Sequence, residues 1–243
     1  ETDQLSSGGS ELINGFTANG FTVGDENAVN NSSGSYVSWG WKAGGRKGTW
    51  NLNGEDMGSA AAAGLTAGDT AKLNNATINT DAGFSIIKWT QDSGGAGSSI
   101  PHGLTQAPNF VIMKHVNSAS AWFVTHSAIS AASKIIYLNT AGEEDTSSDF
   151  GNAFPTSTVV TTSTTGVNGR EVMLYCWHDV EGLQKFGGYE GVATEKFVYL
   201  GFRPAMLAIK FIDGTDIGSH GGWKLIDDKR DPYISGGVAK KVE

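Results

Sequence analysis

Val172-Met-Leu-Tyr-Cys-Trp177 is the stretch that decides the fold. Six apolar or aromatic residues in a row, with Gly169 before them and His178-Asp179 after, are too few for a core helix. Their types suit a pleated strand. Alternation along such a strand puts Tyr175 and Trp177 on one face and Cys176 on the other. No His or Lys is arranged beside Cys176 in the sequence, so it is expected to pack rather than react. Similar short runs recur on both sides, at residues 35–41, 83–90, 109–114, 121–126, 134–138, 197–200, 205–211 and 223–226. Each is bounded by Gly, Asn, Asp, Ser or Pro, the residues that impose or tolerate turns. No segment keeps a helical period over three turns, and the Ala run at 60–63 is closed in by Gly58 and Gly64. The fold expected is all-β: a duplicated antiparallel β-sandwich, jelly-roll-like, with long Gly-rich loops.

The duplication is read from two weakly repeated patterns. Tyr36-Val-Ser-Trp-Gly-Trp41 matches Val172–Trp177 at an offset of 136, which aligns Trp39 with Tyr175 and Trp41 with Trp177. A second pattern follows each copy. Phe84, Pro108-Asn-Phe-Val-Ile112 and Trp122 correspond to Phe186, Pro204-Ala-Met-Leu-Ala208 and Trp223, with offsets of 96 at the prolines and 101 at the tryptophans. One half alone makes a small core, so the halves are expected to pack together. The resulting division is a flexible lead-in at 1–18, a first β unit at 19–145 and a second at 146–235 packed on it, with a tail at 236–243. Within the first unit, 44–81 is Gly-, Ala-, Asn- and Thr-rich and reads as an irregular insertion, with short strands at 49–52 and 71–73.

Composition narrows the function. The 243 residues include 34 Gly, about twice the usual ~7%. Seventeen Lys and Arg against 25 Asp and Glu give a formal charge of −8. Nucleic acids and anionic membranes select basic surfaces, so neither is an expected partner. No run approaches the ~20 apolar residues of a membrane span, so no membrane insertion is expected, and residues 1–10 carry no signal-peptide pattern. The chain begins without Met, as a fragment or processed product would. A single cysteine leaves no internal disulfide and no Cys-based zinc site.

Catalytic constellations are not evident. No serine lies in a Gly-x-Ser-x-Gly elbow, and Gly94-Gly-Ala-Gly97 lacks the lysine and helix of a phosphate loop, reading instead as a hairpin tip. His102, His115, His126, His178 and His220 form no ligand-spaced pair, so no metal and no cofactor are expected. The acidic clusters are Glu143-Glu144-Asp145, Asp179 with Glu181, and Asp227-Asp228 with Asp231. Asp179 and Glu181 would share a face at a strand end and suit Ca²⁺ or a sugar, although solvated charge is the plainer reading. Among the seven tryptophans, Trp39 and Trp41 read as core, whereas Trp50 and Trp89 are less constrained and are candidates for exposure.

Longer strings carry a resemblance. They include Asn19-Gly-Phe-Thr-Val-Gly24, Gly34-Ser-Tyr-Val-Ser-Trp-Gly-Trp-Lys-Ala-Gly-Gly45, Asp81-Ala-Gly-Phe-Ser-Ile-Ile87 and Ile100-Pro-His-Gly-Leu104. Val180-Glu-Gly182, Lys185-Phe-Gly-Gly-Tyr-Glu-Gly191, Phe197-Val-Tyr-Leu-Gly-Phe-Arg-Pro204 and Asp231-Pro-Tyr233 extend the set. Together they resemble a domain common in tail-associated virion proteins of marine bacteriophages. Gly40 departs from the Cys or Asn expected at that position of the family, whose members continue beyond the counterpart of Tyr233. The resemblance implies a virion protein, a tail-fibre or tail-spike module that takes part in host recognition and carries no catalytic residue. It implies other virion proteins, copies of itself as a homotrimer and a bacterial surface glycan or protein as partners. A capsid decoration or head-fibre protein is the alternative. A polysaccharide depolymerase using Asp179, Glu181 or Asp227, and a secreted lectin, are further readings. Recognition is expected at polar loop tips on the β scaffold, at 94–99, 143–148 and 213–222, with Gly94, Ser98, Glu144, Asp216 and His220 as contact residues.

Overall fold

The computed structural model describes residues 6–7, 10–36, 38–45, 48–91, 97–163, 168–214, 221–229 and 240–241. The chain is all-β, as its strand patterns predict. It divides into two compact units, Glu1–Trp41 and Lys42–Glu243.

In the first unit, β1 (Ser6–Ser7) pairs with β2 (Ser10–Glu11), and β3 (Ile13–Phe16) pairs with β4 (Phe21–Val23). The expected flexible lead-in at 1–18 therefore contains paired backbone. One helical turn, α1 (Asn27–Asn30), follows, held by Asn30 Nδ2 donating to the Gly24 carbonyl at 2.8 Å.

The second unit begins with β5 (Trp50–Leu52), β6 (Glu55–Asp56), β7 (Leu73–Asn79), β8 (Phe84–Gln91) and β9 (Ser98–Pro101). It continues with β10 (Phe110–His115), β11 (Phe123–His126), β12 (Lys134–Tyr137), β13 (Asp145–Thr146), β14 (Val159–Thr162) and β15 (Arg170–Trp177). It ends with β16 (Met206–Ile209), β17 (Lys224–Asp227) and β18 (Lys240–Lys241). Nine of these form one sheet in the order β13-β12-β11-β10-β15-β8-β7-β5-β6. All its neighbours are antiparallel except β5 and β7, which run parallel.

The pleat sorts the apolar residues into two cores, one on each face of this sheet. Ile87, Trp89, Val111, Met113, Val172, Leu174 and Cys176 point to one face. There they meet Ile100 of β9 and Val160 of β14, which pair with each other as a covering layer, together with Leu65, Leu104 and Phe150. Phe84, Ile112, Val124, Ile136 and Trp177 point to the opposite face, against Phe186, Ile212 and Trp223. Cys176 thus lies opposite Tyr175 and Trp177, and burial pushes its thiol up to about 12.

Four expectations change here. The segment 44–81 is ordered around β5 and β7 and contributes Ala63, Leu65, Ala76 and Ile78 to the core, because small and aliphatic side chains fill the space under the sheet. The described residues of 35–41 and 197–200 lie in no strand despite their pattern, and Trp39 and Trp41 are exposed rather than core. Trp89, expected as a candidate for exposure, is instead fully buried. Residues 146–235 do not form a body of their own, since β15 lies between β10 and β8.

The second repeated pattern has a structural counterpart. β10, β11 and β12 form a meander, and so do β16, β17 and β18. In the first, Phe110 faces His126 and Ile112 faces Val124; in the second, Met206 faces Asp227 and Ala208 faces Leu225. Offsets of 96 and 101 convert one register into the other without a slip. A lysine contact is repeated as well. Lys114 Nζ donates to the carbonyls of His115 and Ser120, both at 3.3 Å, and lies 5.6 Å from the centre of the Trp122 ring. Lys210 Nζ donates to the carbonyls of Gly221 and Thr140, at 2.7 and 3.0 Å, and lies 5.8 Å from the Trp223 ring centre. The same two offsets relate Lys114 to Lys210, Ser120 to Gly221 and Trp122 to Trp223. Each lysine closes the loop between its two strands, joining a hydrogen bond to a cation–π contact.

Lys114 is buried, whereas Lys210 is half-buried. Replacing Lys114 by Met leaves two carbonyls without this donor and is expected to cost about 1–3 kcal/mol in urea unfolding. Lys210→Met, which also leaves two carbonyls without a donor but at a half-buried site, is expected to cost less. Equal losses at the two positions would show that burial does not set the strength of the clamp.

Candidate functional site: an exposed aromatic surface on a tied scaffold

The residues that looked chemically active in the sequence are largely committed to architecture. His102 is fully buried. Its Nδ1 accepts from the Leu104 N–H at 3.1 Å, which leaves the proton on Nε2, 3.2 Å from the Thr156 carbonyl. Burial holds its pKa down to about 4. His126 Nδ1 accepts from the Ala128 N–H at 2.9 Å, and burial lowers its pKa also. His115 is lowered to about 4, first by burial and then by the charge of Arg170.

After β15 the chain makes a tight clasp. His178 Nδ1 donates to the Asp179 carbonyl at 2.6 Å, and its Nε2 lies 3.4 Å from Thr105 Oγ1. Gln184 Nε2 donates to the carbonyls of His178 and Ala82 at 2.8 and 2.9 Å. Gly83, at φ 59°, leaves room for this, since a Cβ there would sit 2.8 Å from the His178 ring. Asp179 accepts from the Phe186 N–H at 2.7 Å and is ion-paired with Lys185. Its carboxylate fastens a turn, and Glu181 stands exposed two residues on.

The loop residues fare differently. Gly94, Asp216 and His220 lie outside the described residues. Ser98 is not at a loop tip: it is fully buried in β9, and its Oγ accepts from Lys72 Nζ at 2.8 Å. Glu144 is half-buried, its carboxylate accepting from the N–H and hydroxyl of Ser130. Neighbouring Asp145 accepts from the Tyr137 hydroxyl at 3.0 Å. The acidic cluster at 143–145 is therefore only partly solvated, because Glu144 ties two loops and Asp145 ties β13 to β12.

Two features were not visible in the sequence. One is a narrow recess beside Trp89, Gln91, His115, Asp149 and Arg170. Trp89 Nε1 and Gln91 Oε1 are buried there with no protein partner, and the space suits a bridging water. The other is the surface segment after the clasp. Phe197 and Tyr199 are 85% and 78% exposed, with Val198 between them also exposed. They are the most open large apolar side chains among the described residues, ahead of Phe16 at 64%. Their exposure was hidden because 197–200 carries the same apolar pattern as the buried strands.

Among the described residues, no group of three or more His, Cys, Asp or Glu side chains is placed to hold a metal ion. No helix there is long and apolar enough to cross a membrane. A model of a domain of unknown function, DUF7483, matches residues 1–241. The chain belongs to the DUF7483 family. No curated protein and no solved structure matches it. In this DUF7483 chain Phe197 and Tyr199 are exposed, whereas His102 and His126 are tied to backbone N–H groups.

Those histidines predict an acid response. A native pKa near 4 against about 6.5 unfolded means that the unfolded chain takes up the proton first. Stability supplied by neutral His102 is thus fully present above pH 6.5 and is lost as the pH falls towards 4. His102→Gln, which cannot titrate, should make that decline shallower by up to about 1.4 kcal/mol per pH unit. Urea unfolding across this window checks it, and an unchanged profile would assign the acid response to other groups.

Proposed function

We propose that this chain is a structural module of a bacteriophage virion, of the tail-fibre or tail-spike kind, that contacts glycan on a bacterial surface. The observation that carries the reading is the exposure of Phe197 and Tyr199. Aromatic faces pack against the C–H groups of sugar rings. The same residues belong to the string Phe197-Val-Tyr-Leu-Gly-Phe-Arg-Pro204 that resembles marine-phage tail proteins. Homotrimers and contacts with other virion proteins fit this role. The depolymerase reading loses its first carboxylate, because Asp179 already accepts from Lys185 and from the backbone of Phe186.

Gold-labelled antibody on particles from the source material tests the location. The reading expects label at the tail or its fibres; label spread over the head would make the protein a capsid decoration, and unlabelled particles would remove the virion assignment. The ligand surface is tested separately with Phe197→Ala/Tyr199→Ala. Binding to host cells should fall about tenfold or more, equivalent to about 1.4 kcal/mol, with unchanged unfolding. Full binding by the double variant would contradict a role for this pair.

A further inference from the structure

The recess beside Trp89 is built by the registers of three strands. Antiparallel pairing sets Trp89 of β8 opposite Val172 of β15, and Val172 opposite His115 of β10. Two residues further along β8, Gln91 faces Arg170. The pleat turns these five side chains to one face of the sheet. Val172 is the smallest of them and leaves a gap that Asp149 also lines. The lining is graded. Trp89 and Gln91 are 1% and 5% exposed, whereas His115, Asp149 and Arg170 are half-buried. Trp89 Nε1 and Gln91 Oε1 have no hydrogen-bond partner, although Gln91 Nε2 donates to the Ser163 carbonyl at 3.1 Å. Among the described residues the Arg170 guanidinium has no ion pair or hydrogen bond. One oxygen of Asp149 accepts from the Ser147 hydroxyl. Burial and then the Arg170 charge hold the His115 pKa down to about 4, so at neutral pH its ring can both donate and accept.

A buried donor and a buried acceptor, both unpaired and lining one recess, select a group that accepts and donates at once. A hydroxyl does so, whereas a carboxylate cannot donate and an ammonium cannot accept. The rim repeats this demand: Arg170 donates, Asp149 accepts and neutral His115 does both. The two rim charges are opposite, which suits an uncharged ligand bearing several hydroxyls. We propose that the recess is a binding subsite for a neutral sugar, one hydroxyl of which bonds Trp89 Nε1 and Gln91 Oε1 while its neighbours meet Arg170 and Asp149. The recess is narrow and takes one hydroxyl rather than a whole ring, so the ring stays at the rim. A water can hold the same two bonds, and an entering hydroxyl displaces it without losing either. That the polyol is a sugar rests on the glycan reading above. The residues that bind it are not Phe197 and Tyr199.

Proton–nitrogen NMR of the whole chain reads the indole N–H of Trp89 directly, once its signal is assigned through its own backbone. The methyl glycosides of glucose, galactose and mannose serve as probes, because they differ only in the orientation of a hydroxyl at the second or fourth carbon. At least one is expected to move the Trp89 signal saturably; no saturable movement with any of the three would overturn the proposal. Arg170→Met removes the rim charge and keeps an unbranched stem, and is expected to weaken that binding about tenfold or more. Unchanged affinity in this variant would overturn the site, and tighter binding of methyl glucuronide would overturn the neutral class. Phe197→Ala/Tyr199→Ala is expected to leave the Trp89 response intact. If that double variant loses host-cell binding while no sugar moves Trp89, the glycan reading stands and the recess proposal fails. If Trp89 responds while the double variant binds host cells fully, the recess stands and the Phe197–Tyr199 surface fails.

Discussion

The second unit depends on the pairing of β15. It bonds along its whole length to β8 and for six residues to β10, so it is the member that makes one sheet out of two sets of strands. Val172, Leu174 and Cys176 close one core from this strand, while Tyr175 and Trp177 serve the other. Shifting such a strand by one residue would exchange its two faces and expose both sets. The strand comes late in the chain, so its pairing with β8 joins residues far apart in sequence. Long-range closure of this kind sets a slow folding step relative to the local β10–β11 hairpin.

The same strand explains how far the sequence could be read. Patterns at 83–90, 109–114, 121–126, 134–138 and 172–177 became neighbouring strands, because β-branched and aromatic runs bury well on a pleated sheet. The patterns at 35–41 and 197–200 are just as apolar, yet their described residues lie in no strand. A period of two reports what a segment can bury, not whether a partner is present. Ser98-Ser-Ile-Pro101 and Val159-Val-Thr-Thr162 failed in the other direction. Their polar residues and proline resemble turns, but Ile100 and Val160 cover one face of the sheet and draw the remainder into strands.

Site residues were harder to read for a related reason. His102 sits in a Gly-containing loop that looked solvated, and only the fold shows it buried between the Thr156 carbonyl and the Leu104 N–H. Asp179 has the spacing of an acidic site and the geometry of a turn clasp. The repeat was the most informative long-range signal, since offsets taken from prolines and tryptophans alone anticipate a strand register and a pair of lysine clamps. Its unmatched half lies at β16, close in sequence to the open rings of Phe197 and Tyr199.

Native-state amide hydrogen exchange tests the role of β15 most directly. If this strand holds the sheet together, the amides of 172–177 exchange only through global unfolding and are among the slowest in the protein, together with those of β8 and β10. Amides of β15 that open at a lower free energy than those of β11 and β12 would contradict the account, because the meander would then stand without the strand said to join it to the rest.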